Sequence, residues 1–132
     1  MKIFKPGLLR DIQGATAVEF AVVAPIVFTL IFGIFQVGIL FYANAGLQQG
    51  INEGARYATI FPTPTDNQIR TRILQTTFGL QSNFIEGPTV TRGVSDGVAY
   101  VDVSMTYRAP IGFAFASVPP VTLKASRRAF QY

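Results

Sequence analysis

The chain has 132 residues, of which 49% are hydrophobic and 14% charged, with a formal net charge of +4 and a mean hydropathy of +0.35. It contains neither cysteine nor histidine, which removes disulfides, thiol nucleophiles, histidine bases and the usual zinc ligands together. Such an apolar balance suits a membrane protein with a small polar head better than a soluble globule.

Residues 1–14 are short and basic, with Lys2, Lys5 and Arg10 against Asp11. Pro6-Gly7 opposes a stable helix there. A basic flank before an apolar run is the positive-inside signal and predicts a cytoplasmic N-terminus. The remaining arginines are scattered and read as a solvated surface, so no nucleic-acid partner is expected. A secretory signal peptide carries its cleavage site after the apolar core. Here the candidate site, Gly14, precedes the run, and a cut between Gly14 and Ala15 would leave that run on the mature chain.

From Gly14 to Tyr42 the sequence reads GATAVEFAVVAPIVFTLIFGIFQVGILFY, with no charge between Glu19 and Glu53. A hydrocarbon core of roughly 30 Å needs about 20 apolar residues in a helix, so this stretch is long enough to span it. Glu19 is its anomaly. An ionisable group in a membrane helix is costly and points to a function. Glu19 stands one helical turn after Ala15, where a carboxylate either neutralises an amino group or reaches into the head groups. Near a helix N-terminus it would gain roughly 0.3–1 kcal/mol from the macrodipole. Pro25, inside the run, either kinks or locally melts the helix or is tolerated as membrane prolines are.

The helical pattern continues beyond Tyr42. Leu47, Ile51, Gly54, Ala55, Ala58 and Phe61 recur on one face, with Gln48, Gln49, Glu53 and Arg56 on the other. Glu53 and Arg56 are spaced to pair weakly. Beside the apolar stripe run Gly46, Gly50, Gly54 and Ala58. Each glycine costs a helix roughly 1 kcal/mol against alanine, so the series implies either close packing against another element or a frayed exit from the membrane. Pro62 and Pro64 end the helix. Residues 15–61 would then form one helix about 70 Å long at roughly 1.5 Å per residue.

Residues 62–132 form the head, too short to be robust alone and expected to borrow apolar surface from the helix before it. Thr65 and Gln68 make a capping box for a short amphipathic helix with Ile69, Ile73, Leu74 and Phe78, which Gly79 would stop; Arg70 and Arg72 should face solvent. Gln81 to Gly87 reads as a loop with Phe84 and Ile85 as anchors. A strand over Thr89 to Val94 leads through Asp96-Gly97 turn chemistry into Val98 to Tyr107. There Ala99, Val101, Val103, Met105 and Tyr107 alternate with polar residues. Ala109 to Pro120 is an apolar, proline-bounded connection, too broken for a ladder, that either covers the core or touches a membrane or partner. Val121 to Phe130 alternates again, with Val121, Leu123 and Ala125 inward and Lys124 and Arg128 outward. The predicted class is α+β, a long apolar helix leading into a short helix packed on a roughly three-stranded antiparallel sheet. No acid–base pair and no phosphate-binding loop can be read from the spacing, so neither enzyme activity nor a cofactor is expected.

A basic leader ending in Gly14, then Ala15 to Val18, Glu19, Phe20 and an apolar helix resembles the type IV prepilins. More narrowly, GATAVEFAVVAP, Gly14 to Pro25, together with NEGARYA, Asn52 to Ala58, resembles the TadE-like pseudopilins of the Tad (tight adherence) type IVb pilus system. The resemblance covers about residues 10–60 and the head only loosely. Major Flp pilins, by contrast, usually carry tyrosine after the glutamate and are much shorter. The resemblance implies cleavage by a prepilin peptidase after Gly14, an inner-membrane helix with a periplasmic or extracellular head, and a minor-pilin role. It implies that Glu19 and Phe20 act in assembly, with Glu19 neutralising the Ala15 amine of a neighbouring subunit. Other pilins and the assembly platform are the implied partners. The alternative is an uncleaved single-pass assembly or adhesion factor.

Overall fold

The computed structural model describes residues 12–113 and 116–131. The leader up to Asp11, with Lys2, Lys5 and Arg10, lies outside them. The chain divides into two compact units, one up to Phe35 and one from Gln36 onward.

The first helix, α1, runs Ile12–Ala58. In the first unit every large hydrophobic side chain from Val18 to Phe35 is exposed. A helix that is apolar all round, with these side chains exposed among the described residues of its own unit, is suited to lipid or to neighbouring helices. The helix is unbroken through Pro25, so the proline is tolerated without local melting. One missing backbone bond is a small loss in so long a ladder, and the Thr29 hydroxyl donates to the Pro25 carbonyl at 2.8 Å.

The second unit is an α+β head built on the C-terminal part of the same helix. Exposed apolar side chains continue along α1 as far as Tyr42. From Ala43 onward one face is buried, with Ala43, Leu47, Ile51, Ala55 and Ala58 in the core. Burying one Leu or Ile contributes roughly 1.5–3 kcal/mol. Leu47 and Ile51 alone are therefore comparable with much of the 5–15 kcal/mol that holds a whole domain together. The head does borrow the surface it lacks. The helix ends at Ala58 rather than at Phe61, and Phe61 is 92% exposed. The two prolines beyond it already forbid helix in the residues before them.

The second helix, α2, covers Asp66–Thr76 and opens on the predicted capping box, in which Thr65 accepts from the Gln68 amide and Gln68 answers the Thr65 amide. Ile69 and Ile73 are buried, whereas Leu74 and Phe78 are 50% and 40% exposed. Thr77, not Gly79, closes the helix. Gly79 lies beyond it at φ +68°, where a Cβ would press into the Tyr42 ring.

Three antiparallel strands, β1 (Ile85–Ser95), β2 (Val98–Ala109) and β5 (Val121–Gln131), form a sheet in the order β1-β2-β5. Asp96 and Gly97 both have positive φ and close the two-residue β1–β2 hairpin, the twist-matched turn that Asp-Gly favours. Val90, Val101, Val103, Met105, Tyr107, Ala109, Ala125 and Ala129 bury one face against the helices, while Asp102, Arg128 and Lys124 lie on the open one. Ala99, expected inward, is exposed at the end of the sheet. The connection after β2 does form a ladder, but with itself: β3 (Gly112–Phe113) pairs antiparallel with β4 (Ala116–Ser117).

Candidate assembly interface on the first helix

Gly14, Ala15, Glu19 and Phe20 all lie on α1 and are exposed, Phe20 to 70%. Ala15 and Glu19 share a helix face, one turn apart. The helix is continuous across the Gly14–Ala15 peptide. Among the described residues no basic side chain forms an ion pair with Glu19. What surrounds it is an apolar, outward-facing helix surface.

The glycine series lies at a helix crossing inside the head. A Cβ on Gly46 would overlap the Phe78 carbonyl, one on Gly50 the Thr77 hydroxyl, and one on Gly54 the Ile73 side chain. The missing side chains let the end of α2 lie directly on α1. The Thr77 hydroxyl donates to the Ile73 carbonyl at 2.7 Å in the same contact. Tyr42 and Phe78 pack at its edge with their rings tilted by 48° and centroids 5.2 Å apart.

Polar links tie α1 to the rest of the head. Glu53 is held by both Arg56, at 2.8 Å, and Arg72 of α2, at 2.6 Å, and is only 13% exposed. Arg72 thus does not simply face solvent. The two guanidinium groups, Arg56 first, hold the Glu53 carboxyl at about 2, against an ordinary value of 4.5. A carboxylate depressed in the fold adds stability above its unfolded value and loses it as pH falls through the folded one. Glu53→Gln should therefore flatten the acid unfolding of the head between pH 4.5 and about 2. An acid-unfolding curve of the same shape as the parent's would refute this coupling. Elsewhere Arg127 donates to Asn52 at 2.8 Å and Gln131 to the Ala58 carbonyl at 2.7 Å, joining β5 to the end of α1. Arg92 binds Asp66 and the Pro64 carbonyl, both at 2.7 Å, fixing β1 to the start of α2. Spacing gives no sign of these distant partners. Gln36 was findable as the single amide in an apolar run. Its Nε2 donates to the Gly112 carbonyl at 2.7 Å.

Among the described residues no group of acidic side chains could hold a metal ion. Among the described residues one helix, α1, is long and apolar enough to cross a membrane. Residues 14–56 match the family model described as TadE-like protein. The matched segment lies wholly within α1 and includes Gly14, Glu19 and the glycine series. No curated protein and no solved structure matches the chain.

Proposed function

We propose that this chain is a minor pilin or pseudopilin that takes part in assembling a Tad pilus through α1. The observation that carries the reading is the uncovered apolar helix surface with Glu19 one turn beyond the Gly14–Ala15 peptide. A prepilin peptidase cuts after Gly14, and the new Ala15 amine and Glu19 then meet their counterparts on neighbouring subunits. The head, closed around the end of α1, rides on that helix. Other pilins and the assembly platform are its partners. Its place is the inner membrane, with a cytoplasmic N-terminus and the head in the periplasm or carried into an extracellular pilus.

Intact mass of the protein recovered from membranes tests the processing step. The parent should begin at Ala15, and Gly14→Trp should remain full length. Identical masses for the two would remove the prepilin assignment. A reporter active only outside the cytoplasm, fused after Tyr132, should be active; activity of a cytoplasmic reporter there instead would reverse the orientation.

A second reading is supported by the continuity of α1 across Gly14. On that reading the run is an uncut anchor of a single-pass assembly or adhesion factor. The mature mass separates the two.

A further inference from the structure

The three-stranded sheet of the head has two edges, and only one of them is guarded. At β1 the register breaks between Glu86 and Thr89, and Pro88 has no N–H to offer. Arg92 also ties β1 to Asp66 and to the Pro64 carbonyl at the start of α2. Bulges, prolines and covering elements are how proteins blunt sheet edges. β5 has none of these. Its pairing with β2 is unbroken from Ala99–Gln131 to Ala109–Val121, it contains no proline, and among the described residues no strand pairs with its far side. The β1–β2 turn fixes which groups that leaves open. Ser95 and Val98 flank a two-residue turn, and such flanking residues exchange both their hydrogen bonds. Counting along β2 in twos, Tyr100, Asp102 and Ser104 also bond to β1, while Ala99, Val101, Val103 and Met105 bond to β5. The N–H and C=O groups of Thr122, Lys124, Ser126, Arg128 and Phe130 therefore point out of the sheet. All five residues are exposed. The links from β5 to α1 run through the side chains of Arg127 and Gln131 and leave those backbone groups open.

We propose that the β5 edge takes up one further strand, an extended acidic segment of a partner protein, by backbone pairing. The inference stands on the head alone and is independent of the assembly reading of α1. Strand addition of this kind draws affinity from main-chain hydrogen bonds and selectivity from alternate side chains. β5 carries Lys124, Arg127 and Arg128 and no acidic residue. Arg128 is neutralised by Asp102 at 2.8 Å. Arg127 meets the neutral Asn52, and among the described residues neither Arg127 nor Lys124 forms an ion pair. Their charges are thus uncompensated. Opposite charges across a strand pair stabilise it, and like charges directly opposite destabilise it. A second copy's β5 would bring the same cations to the edge, whereas a strand with carboxylates beside Lys124 and Arg127 compensates them. Lysine on an edge strand guards against indiscriminate pairing. Here the same charge repels cationic edges and admits an acidic one, which is selection by repulsion as well as by attraction.

Full-length protein in an uncharged detergent is titrated with three fluorescent peptides, followed by polarisation. One is an extended threonine–valine sequence bearing glutamates, the second has lysines in their place, and the third is the glutamate peptide with its backbone N-methylated throughout. The glutamate peptide should bind. It should slow hydrogen exchange at the N–H groups of Lys124, Ser126 and Arg128, and leave unchanged those of Ala125 and Arg127, which β2 already holds. The lysine and N-methylated peptides should bind at least about fivefold more weakly, the size of one cross-strand charge pair at the top of its range. Lys124→Glu should weaken the glutamate peptide by a similar factor and admit the lysine peptide. Ser126→Pro removes one outward N–H, which an edge strand tolerates, and should abolish binding; should that variant fail to fold, the N-methylated peptide makes the same test on the parent. A glutamate peptide that does not bind the parent overturns the proposal. Equal binding of the glutamate and lysine peptides overturns the acidic selection. Equal binding of the glutamate peptide and its N-methylated form reduces the edge to a charged surface and overturns strand addition. Self-association of the parent that protects the same N–H groups assigns the edge to a second copy and overturns the acidic partner.

Discussion

Gly46→Ala should destabilise the head, although the same change in a free helix would stabilise it. Alanine is better than glycine in a helix interior by roughly 1 kcal/mol. At Gly46, however, the new Cβ meets the backbone carbonyl of Phe78, which no rotamer change can remove. Overpacking a tight contact costs typically 1–3 kcal/mol, and a fixed backbone obstacle belongs at the upper end of that range. The net expectation is a loss of about 2 kcal/mol, or roughly 8–16 °C in Tm for a head of this size. Gly38→Ala is the internal control, since a Cβ there meets nothing within 4 Å. It should leave the melting point unchanged or raise it slightly. Gly54→Ala, opposed by the Ile73 side chain rather than by backbone, should fall between them. Thermal unfolding of the full chain in detergent, followed by tyrosine fluorescence, gives the order. If Gly46→Ala melts like Gly38→Ala, the crossing of α1 and α2 is not where it is described.

That crossing also shows which parts of the molecule could be read in advance. Local signals held. The capping box at Thr65 and Gln68, the Asp96-Gly97 turn and the alternation along β2 from Val101 to Tyr107 each depend on neighbours a few residues away, and each is found as read, with Ala99 at the end of the sheet the exception. The burial of Leu47, Ile51, Ala55 and Ala58 followed from a helical period that a buried face must keep. The glycine series announced a close approach without naming what approaches, because Phe78, Thr77 and Ile73 reach it only through the fold of the linker between the helices. Arg72 looked like a surface residue since its partner, Glu53, is distant in sequence. The last turn assigned to α1 was lost because Phe61 fitted the apolar period, yet the prolines after it outweigh periodicity. The β3–β4 ladder was missed for the opposite reason, since prolines bounding a segment do not prevent four residues between them from pairing. Of the candidate assembly residues, position on the helix and exposure are visible in one chain. On the proposed reading their neighbours are other molecules.

Glu19→Gln isolates what those neighbours would contribute. The substitution keeps the size and hydrogen-bonding capacity of the side chain and removes only its charge. If Glu19 merely reaches the head groups, the neutral amide is tolerated at least as well, and little changes. If it neutralises the Ala15 amine of an adjacent subunit, the variant leaves an ammonium at the rim of the hydrocarbon without its counter-charge. Removing one partner of a poorly hydrated pair costs about 3–5 kcal/mol because the other charge stays unpaired. At 1.4 kcal/mol per factor of ten, this lowers subunit association by roughly two to three orders of magnitude. The head should be untouched, since Glu19 lies in the first unit, apart from the buried core that begins at Ala43. Insertion, cleavage after Gly14 and head melting should therefore match the parent, while crosslinking to partner pilins and the number of pili per cell collapse. Glu19→Asp, which keeps the charge on a shorter arm, should restore part of both. Crosslinking and pilus counts at parental levels in Glu19→Gln, with cleavage intact, would reduce Glu19 to an interfacial carboxylate and leave the apolar surface of α1 as the whole of the assembly contact.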